Sequence, residues 1–209
     1  MSNTSGALYI LSAPSGAGKT SLVKALLAQD NQICVSVSHT TRAIRQGERE
    51  GVDYNFVGKK DFSRLVDQQQ MLEYATVFEN SYGTSRRWVQ TSLEQGQDVI
   101  LEIDWQGRDQ VLSIFPHAVA ITILPPSQVA LQKRLQGRGT DSDIIIAKRM
   151  AEAHKDISQY AGSHYLVINN DFKQALADLQ CIFSCRRLKT PLQAVNHHQL
   201  LTELLSSGD

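Results

Sequence analysis

Ala13-Pro14-Ser15-Gly16-Ala17-Gly18-Lys19-Thr20 follows the apolar run Ala7–Ser12 and opens a helical pattern over residues 19–29. A strand, a turn of small residues ending in Gly-Lys-Thr, and then a helix is the context that a phosphate-binding loop requires. Small residues let the backbone wrap closely round phosphate oxygens, with amides and a helix N-terminus aimed at the anion. Lys19 is then placed to reach the β- and γ-phosphates of a nucleoside triphosphate, and the Thr20 hydroxyl to ligate Mg²⁺. Ala13 stands where the pattern has its first glycine and reads as a small-residue variation. The loop names a class of ligand and not a reaction.

Outward from the loop, short apolar runs alternate with helical patterns. Residues 33–38 alternate, with Ile33, Val35 and Val37 on one side. Val99–Ile103 is nearly continuous, as a strand buried on both faces should be. Ala118–Leu124 is closed by Pro125-Pro126, and Tyr165–Ile168 is a further run. Helical patterns lie near 85–95, 106–114, 142–160 and 172–188, the last with Phe172, Ala175, Leu176, Leu179, Ile182 and Phe183 at helical spacing. This rhythm predicts an α/β fold, a central parallel sheet flanked by helices. Two segments interrupt it. Residues 39–86 are largely polar, with strand-like pieces at Tyr54–Val57 and Leu72–Phe78 and a short helix near 61–68. Residues 127–150 carry a helix, Gly137-Arg138-Gly139, and a new helix start. Both read as lobes inserted in a core of residues 1–38, 87–126 and 151–209, where substrates are usually closed upon. Residues 190–209 read as a final surface helix.

The 209 residues carry 21 lysines and arginines against 21 aspartates and glutamates, a net charge of zero. That balance argues against a nucleic-acid or anionic-membrane partner, since those affinities rest on unbalanced cations. Cys34, Cys181 and Cys185 are too few for a disulfide scaffold and read as thiols of a reduced, cytoplasmic protein, not as a zinc site. No stretch has the length of a membrane span, and the N-terminus lacks the pattern of a signal peptide. The six histidines show no ligand or triad spacing.

Several separated segments then become legible together: Ser36-Val37-Ser38-His39-Thr40-Thr41-Arg42, Arg45, Gly47-Glu48, Asp53-Tyr54-Asn55-Phe56, Leu72-Glu73-Tyr74-Ala75, Tyr82-Gly83-Thr84, Leu101-Glu102-Ile103-Asp104-Trp105-Gln106-Gly107 and Arg134-Leu135-Gln136-Gly137-Arg138-Gly139. In this order, from about Tyr9 to Arg187, the sequence resembles the guanylate kinases. The resemblance implies a P-loop kinase core, a GMP-binding lobe at 39–86 and a lid at 127–150, within a single domain of about residues 7–187. It implies transfer of the γ-phosphoryl group of ATP to GMP, with Mg²⁺ as cofactor. It places Arg42, Arg45, Tyr54 and Tyr82 at the GMP phosphate, Glu73 at the N1 and 2-amino donors of guanine, and Ser38, Thr84, Glu102 and Asp104 at other GMP-side positions. Asp104 is also expected near the metal, through water. Arg134, Arg138 and Arg149 are expected on the triphosphate, and Asn169 near the adenine, although Asn169-Asn170-Asp171 departs from the family's usual Asn-Asp-Asp. With Ala13–Thr20 on ATP, the catalytic set implied is Lys19, Arg42, Arg138 and Arg149. Such chemistry needs charge neutralisation and little proton transfer.

Two other readings belong beside this one. Some guanylate-kinase-like domains are non-catalytic binding modules, but these tend to lack a working phosphate loop and to be flanked by other domains, for which this chain leaves no room. A related ribose-phosphate kinase would have no use for a guanine reader such as Glu73. The oligomeric state stays open, a homo-oligomer included.

Overall fold

β1 (Leu8–Ser12) is buried at every position because it is the middle strand of the main sheet. This computed structural model describes residues 5–77, 79–137 and 143–206. β1 runs parallel to β7 (Asp98–Glu102) on one side and β8 (Val119–Leu124) on the other, with Leu8 opposite Val99 and Tyr9 opposite Val119. β2 (Ile33–Val35) and β9 (Tyr165–Ile168) form the two edges, giving the order β2-β7-β1-β8-β9. The expected parallel sheet is therefore present.

The pleat divides the core in two. Tyr9, Leu11, Ile121 and Ile123 face α1 (Lys19–Leu27) and α7 (Phe172–Arg187), which supply Leu22, Leu26, Leu179 and Phe183. The Tyr9 and Phe183 rings stack with centroids 3.8 Å apart. Leu8, Ile10, Val99 and Leu101 face the other way, onto α3 (Arg86–Glu94) and α4 (Trp105–Ile114). Burying these side chains on both faces supplies the main driving force for folding, at about 25 cal/mol per Å² of apolar surface. At the rim, Arg187 donates to Asp30 at 2.6 Å and to Asp98 at 2.8 Å, tying the end of α7 to the sheet.

Residues 39–85 build a second sheet of order β4-β3-β6-β5, from β3 (His39–Thr40), β4 (Asn55–Phe56), β5 (Met71–Val77) and β6 (Asn80–Ser85). α2 (Lys59–Asp67) buries Phe62 beneath it. α5 (Gln128–Gln136) and α6 (Asp143–Ser158) follow β8; Leu131 and Leu135 of α5 pack on Ala153 of α6. The expected end of the lid at residue 150 falls inside α6. A short 3-10 turn (Tyr160–Gly162) leads into β9.

Some details differ from the sequence patterns. β2 stops at Val35, two residues short of Val37. Leu166 and Ile168 of β9 are exposed, as is Phe172, because an edge strand and the first residue of a helix gain little cover. The tail forms two helices, α8 (Thr190–Asn196) and α9 (His198–Ser206), rather than one, with no residue of either buried.

Candidate active site

A cleft of about 670 Å³ opens between the C-terminal ends of β1 and β7, the second sheet and α6. One end is the phosphate loop. Gly18 has φ +93°, a left-handed conformation that glycine adopts without strain, and serves as N-cap of α1. A β-carbon there would also run into the Asn169 amide. That amide is buried and donates from Nδ2 to the Ala17 carbonyl at 2.8 Å. Arg134, on α5, donates to the same carbonyl at 3.4 Å and to the Asn169 carbonyl at 2.8 Å. Both residues thus lie against the loop's outer backbone and hold its shape.

Lys19 points into the cleft, with Nζ 3.9 Å from Glu102 Oε2 and 3.4 Å from the Leu11 carbonyl, to which it donates. Desolvation lowers its pKa, and the carboxylates of Glu102, Asp104 and Asp156 oppose that fall. The amine is held at the end of the strands, where burial disfavours its charged form and the carboxylates favour it. Thr20 is exposed in the first turn of α1. Asp104 is the N-cap of α4; its Oδ1 accepts from the amides of Gln106 and Gly107, both at 3.0 Å. Ordering the carboxylate in this way fixes the cleft's central wall.

The other end is lined by Ser38, Arg45, Tyr54, Glu73 and Tyr82. Glu73 on β5 is 3% exposed and accepts from the Thr84 hydroxyl of neighbouring β6 at 2.6 Å. Desolvation raises its pKa to about 7; the Thr84 hydrogen bond opposes the rise and nearby Asp104 adds to it. A buried carboxylate with one oxygen held by Thr84 and a cleft before it is suited to accept a pair of N–H donors. Arg42 sits behind this wall. Its Nη2 donates to Glu48 at 2.7 Å and its guanidinium lies 5.3 Å from the Tyr54 ring centroid, a cation–π contact. Arg45, by contrast, lines the cleft.

The sequence model of the family described as guanylate kinase matches residues 5–185. The chain belongs to the guanylate kinase family. Over 201 residues it is 52% identical to a guanylate kinase of Saccharophagus degradans, covering 96% of this chain and 98% of that one. Over 203 residues it is 52% identical to a guanylate kinase of Vibrio cholerae, again covering 96% and 98%. The crystal structure of the guanylate kinase from Anaplasma phagocytophilum superposes with a TM-score of 0.75 at 32% identity, covering 90% of this chain and 89% of that one.

Within this guanylate kinase fold, the residues expected from sequence divide into groups. Ala13, Ser15, Lys19, Ser38, Arg45, Tyr54, Glu73, Tyr82, Glu102, Asp104 and Arg149 share one cleft. Thr84, Arg42, Arg134 and Asn169 stand one layer behind it and hold the groups in front. Arg138 lies outside the described residues. Sequence reasoning missed the contribution of α6 beyond Arg149: Glu152 and Asp156 also line the cleft. The spacing 149, 152, 156 puts these three on one helical face, a periodicity readable in the sequence. Burial raises the Asp156 pKa to about 6, with Asp104 and Glu152 adding to the rise and Lys19 and Lys155 opposing it.

Proposed function

We infer that this protein phosphorylates GMP with ATP, giving GDP and ADP. The observation that carries the reading is a single cleft with Lys19 and the phosphate loop at one end and the buried Glu73 at the other. The triphosphate lies along the loop amides and the N-terminus of α1, with Lys19 at the β- and γ-phosphates. Guanine lies against Glu73, donating N1–H and a 2-amino N–H to its ionised carboxylate. Arg45, Tyr54 and Tyr82 take the GMP phosphate, whose oxygen attacks the γ-phosphorus in line. The acceptor oxygen is already anionic, so the protein supplies orientation and positive charge rather than a base.

The oxygen donors at the loop suit a hard cation: the exposed Thr20 hydroxyl, and Asp104 through water, would hold the Mg²⁺ that arrives with ATP. Bound there, Mg²⁺ supplies charge neutralisation at the β- and γ-phosphates. Arg149 on α6, with Arg138, adds guanidinium charge from the lid side.

Nucleotides, and neither nucleic acid nor membrane, are the partners of this reading. Among the described residues no helix is long and apolar enough to cross a membrane. The free thiols of Cys34, Cys181 and Cys185 suit a cytoplasmic location. The test is a coupled assay of the specificity constants for GMP, IMP and AMP. GMP is expected first, then IMP, which lacks the 2-amino donor, then AMP, which presents an acceptor at N1 to the carboxylate. Glu73→Gln compresses that order. If AMP rivals GMP in the unmodified protein, Glu73 does not read guanine.

A further inference from the structure

Behind the phosphate loop lies a second, much smaller cavity. Ser12, Pro14, Asp104, Arg108, Thr122 and Asp156 line it, and its volume of about 10 Å³ is the room that one water molecule needs. Ala13 and Trp105 complete the lining, and of its five polar side chains three are deeply buried. Ser12, Thr122 and Arg108 are 7%, 3% and 3% exposed. The Thr122 hydroxyl is shared with Ser163 at 2.7 Å. Arg108 is held by Asp109 at 2.8 Å and donates to the Gln159 carbonyl at 2.7 Å, at the C-terminal end of α6. The Ser12 hydroxyl, on the last side chain before the loop, has no hydrogen-bond partner among the described residues. Leaving a buried hydroxyl unpaired is costly, and Ser12 lines a cavity with room for one water and with Asp104, Arg108, Thr122 and Asp156 as further polar neighbours.

We propose that Asp156 is a positioning residue for the phosphate loop, acting through one water molecule bound between its carboxylate and the Ser12 hydroxyl. The water accepts from Ser12, donates to Asp156 and sits beside the Arg108 guanidinium. It joins α6, which carries Arg149 towards the cleft, to the strand end from which the loop springs. Lid helix and phosphate loop are then parts of one hydrogen-bonded unit, and ATP meets a loop already braced from behind. This role rests on the proposed ATP site, whereas the water itself does not.

The experiment is a double-mutant cycle on Ser12→Ala and Asp156→Asn. It is read by thermal melting and by calorimetric titration with ATP and, separately, GMP. With the water in place, Ser12→Ala removes its anchor and lowers Tm by about 2–4 °C. In a dry cavity the same substitution deletes an orphaned hydroxyl and raises Tm. Each single variant is expected to weaken ATP binding about tenfold, the loss of one charge-assisted hydrogen bond, with GMP binding changed less than twofold. The double variant should be no worse than the poorer single. A rise in Tm for Ser12→Ala, additive effects, or equal losses for ATP and GMP overturns the proposal. None of these readings needs turnover. An unmodified protein that binds ATP but leaves GMP unphosphorylated would count against the proposed reaction and not against this link.

Discussion

Gly107→Ala adds one methyl group in the first turn of α4, and the structure says where it lands. The new carbon would stand 2.5 Å from Glu73 Oε2, and 3.1 Å from both Glu73 Cδ and Ile103 Cδ1. Ordinary contact requires the carboxylate to retreat by roughly 1 Å. Glu73 has little freedom to do so, because it is buried and its other oxygen is bound by Thr84. The substitution therefore breaks that hydrogen bond or turns the carboxylate away from guanine. Displacement on this scale at a site that reads two N–H donors costs about 10- to 100-fold in kcat/KM for GMP. Stability moves much less. Alanine is favoured over glycine in a helix by about 1 kcal/mol, which offsets a similar loss at the Glu73–Thr84 pair. Steady-state kinetics with GMP varied at saturating ATP, then the reverse, separate the outcomes. The expected result is a large GMP defect, an unchanged KM for ATP and a Tm within about 4 °C of the parent. A GMP specificity constant within threefold of the parent would refute the assignment of Glu73 to the base.

Lys19→Met should leave folding intact and lower turnover by roughly 10²- to 10⁴-fold, the scale of a lost electrostatic stabiliser; near-normal turnover means that the loop is not catalytic. The Glu73 pKa of about 7 predicts a pH effect on GMP. Below pH 7 the carboxyl is protonated and accepts poorly, so the ratio of 1/KM for GMP in the parent to that in Glu73→Gln should fall about tenfold from pH 8 to pH 6. A ratio that is flat across this window contradicts the ionised reader. Arg187→Ala strips Asp98 of its cationic partner and leaves it the Ala7 amide at 2.8 Å. About 2 kcal/mol, or 4–8 °C in Tm, should be lost, and a shift under 1 °C in a melting curve would show that the bridge contributes little.

Legibility in the sequence followed the strength of the local pattern. The core strands Val99–Glu102 and Val119–Leu124 were readable because burial on both faces demands unbroken apolar runs. β6 was not, because Asn80-Ser81-Tyr82-Gly83-Thr84-Ser85 has no apolar alternation; it is held as a strand by pairing with β5. At the site, residue types announced the chemistry but not the partners. Arg42 and Arg45 are alike as fork donors, three apart in a polar segment. Only three-dimensional packing gives Arg42 to Glu48 and leaves Arg45 on the cleft. Asn169 and Arg134 followed the same rule: both were expected at the nucleotide, and both bond the loop backbone that would hold it. Asp156 lies in a helical pattern of mixed polarity, and only its spacing from Arg149 and Glu152 marks the face that it shares with them on the cleft.

The central place of β1 has a consequence for how the protein is made. Its first neighbour in the sheet, β7, lies about ninety residues further along the chain, and its second, β8, more than a hundred. The Asn169 amide that seats Ala17 is 152 residues away. At about 5–20 residues per second, a ribosome needs roughly 8–30 s to supply that last contact after the loop itself has been synthesised. Until β7 is made, roughly 5–20 s after β1, Leu8–Ser12 is an unpaired apolar strand, and until Asn169 follows no nascent chain has a finished nucleotide site. Truncated products should therefore be sticky rather than partly active, and the early strand is the segment for which a chaperone would compete.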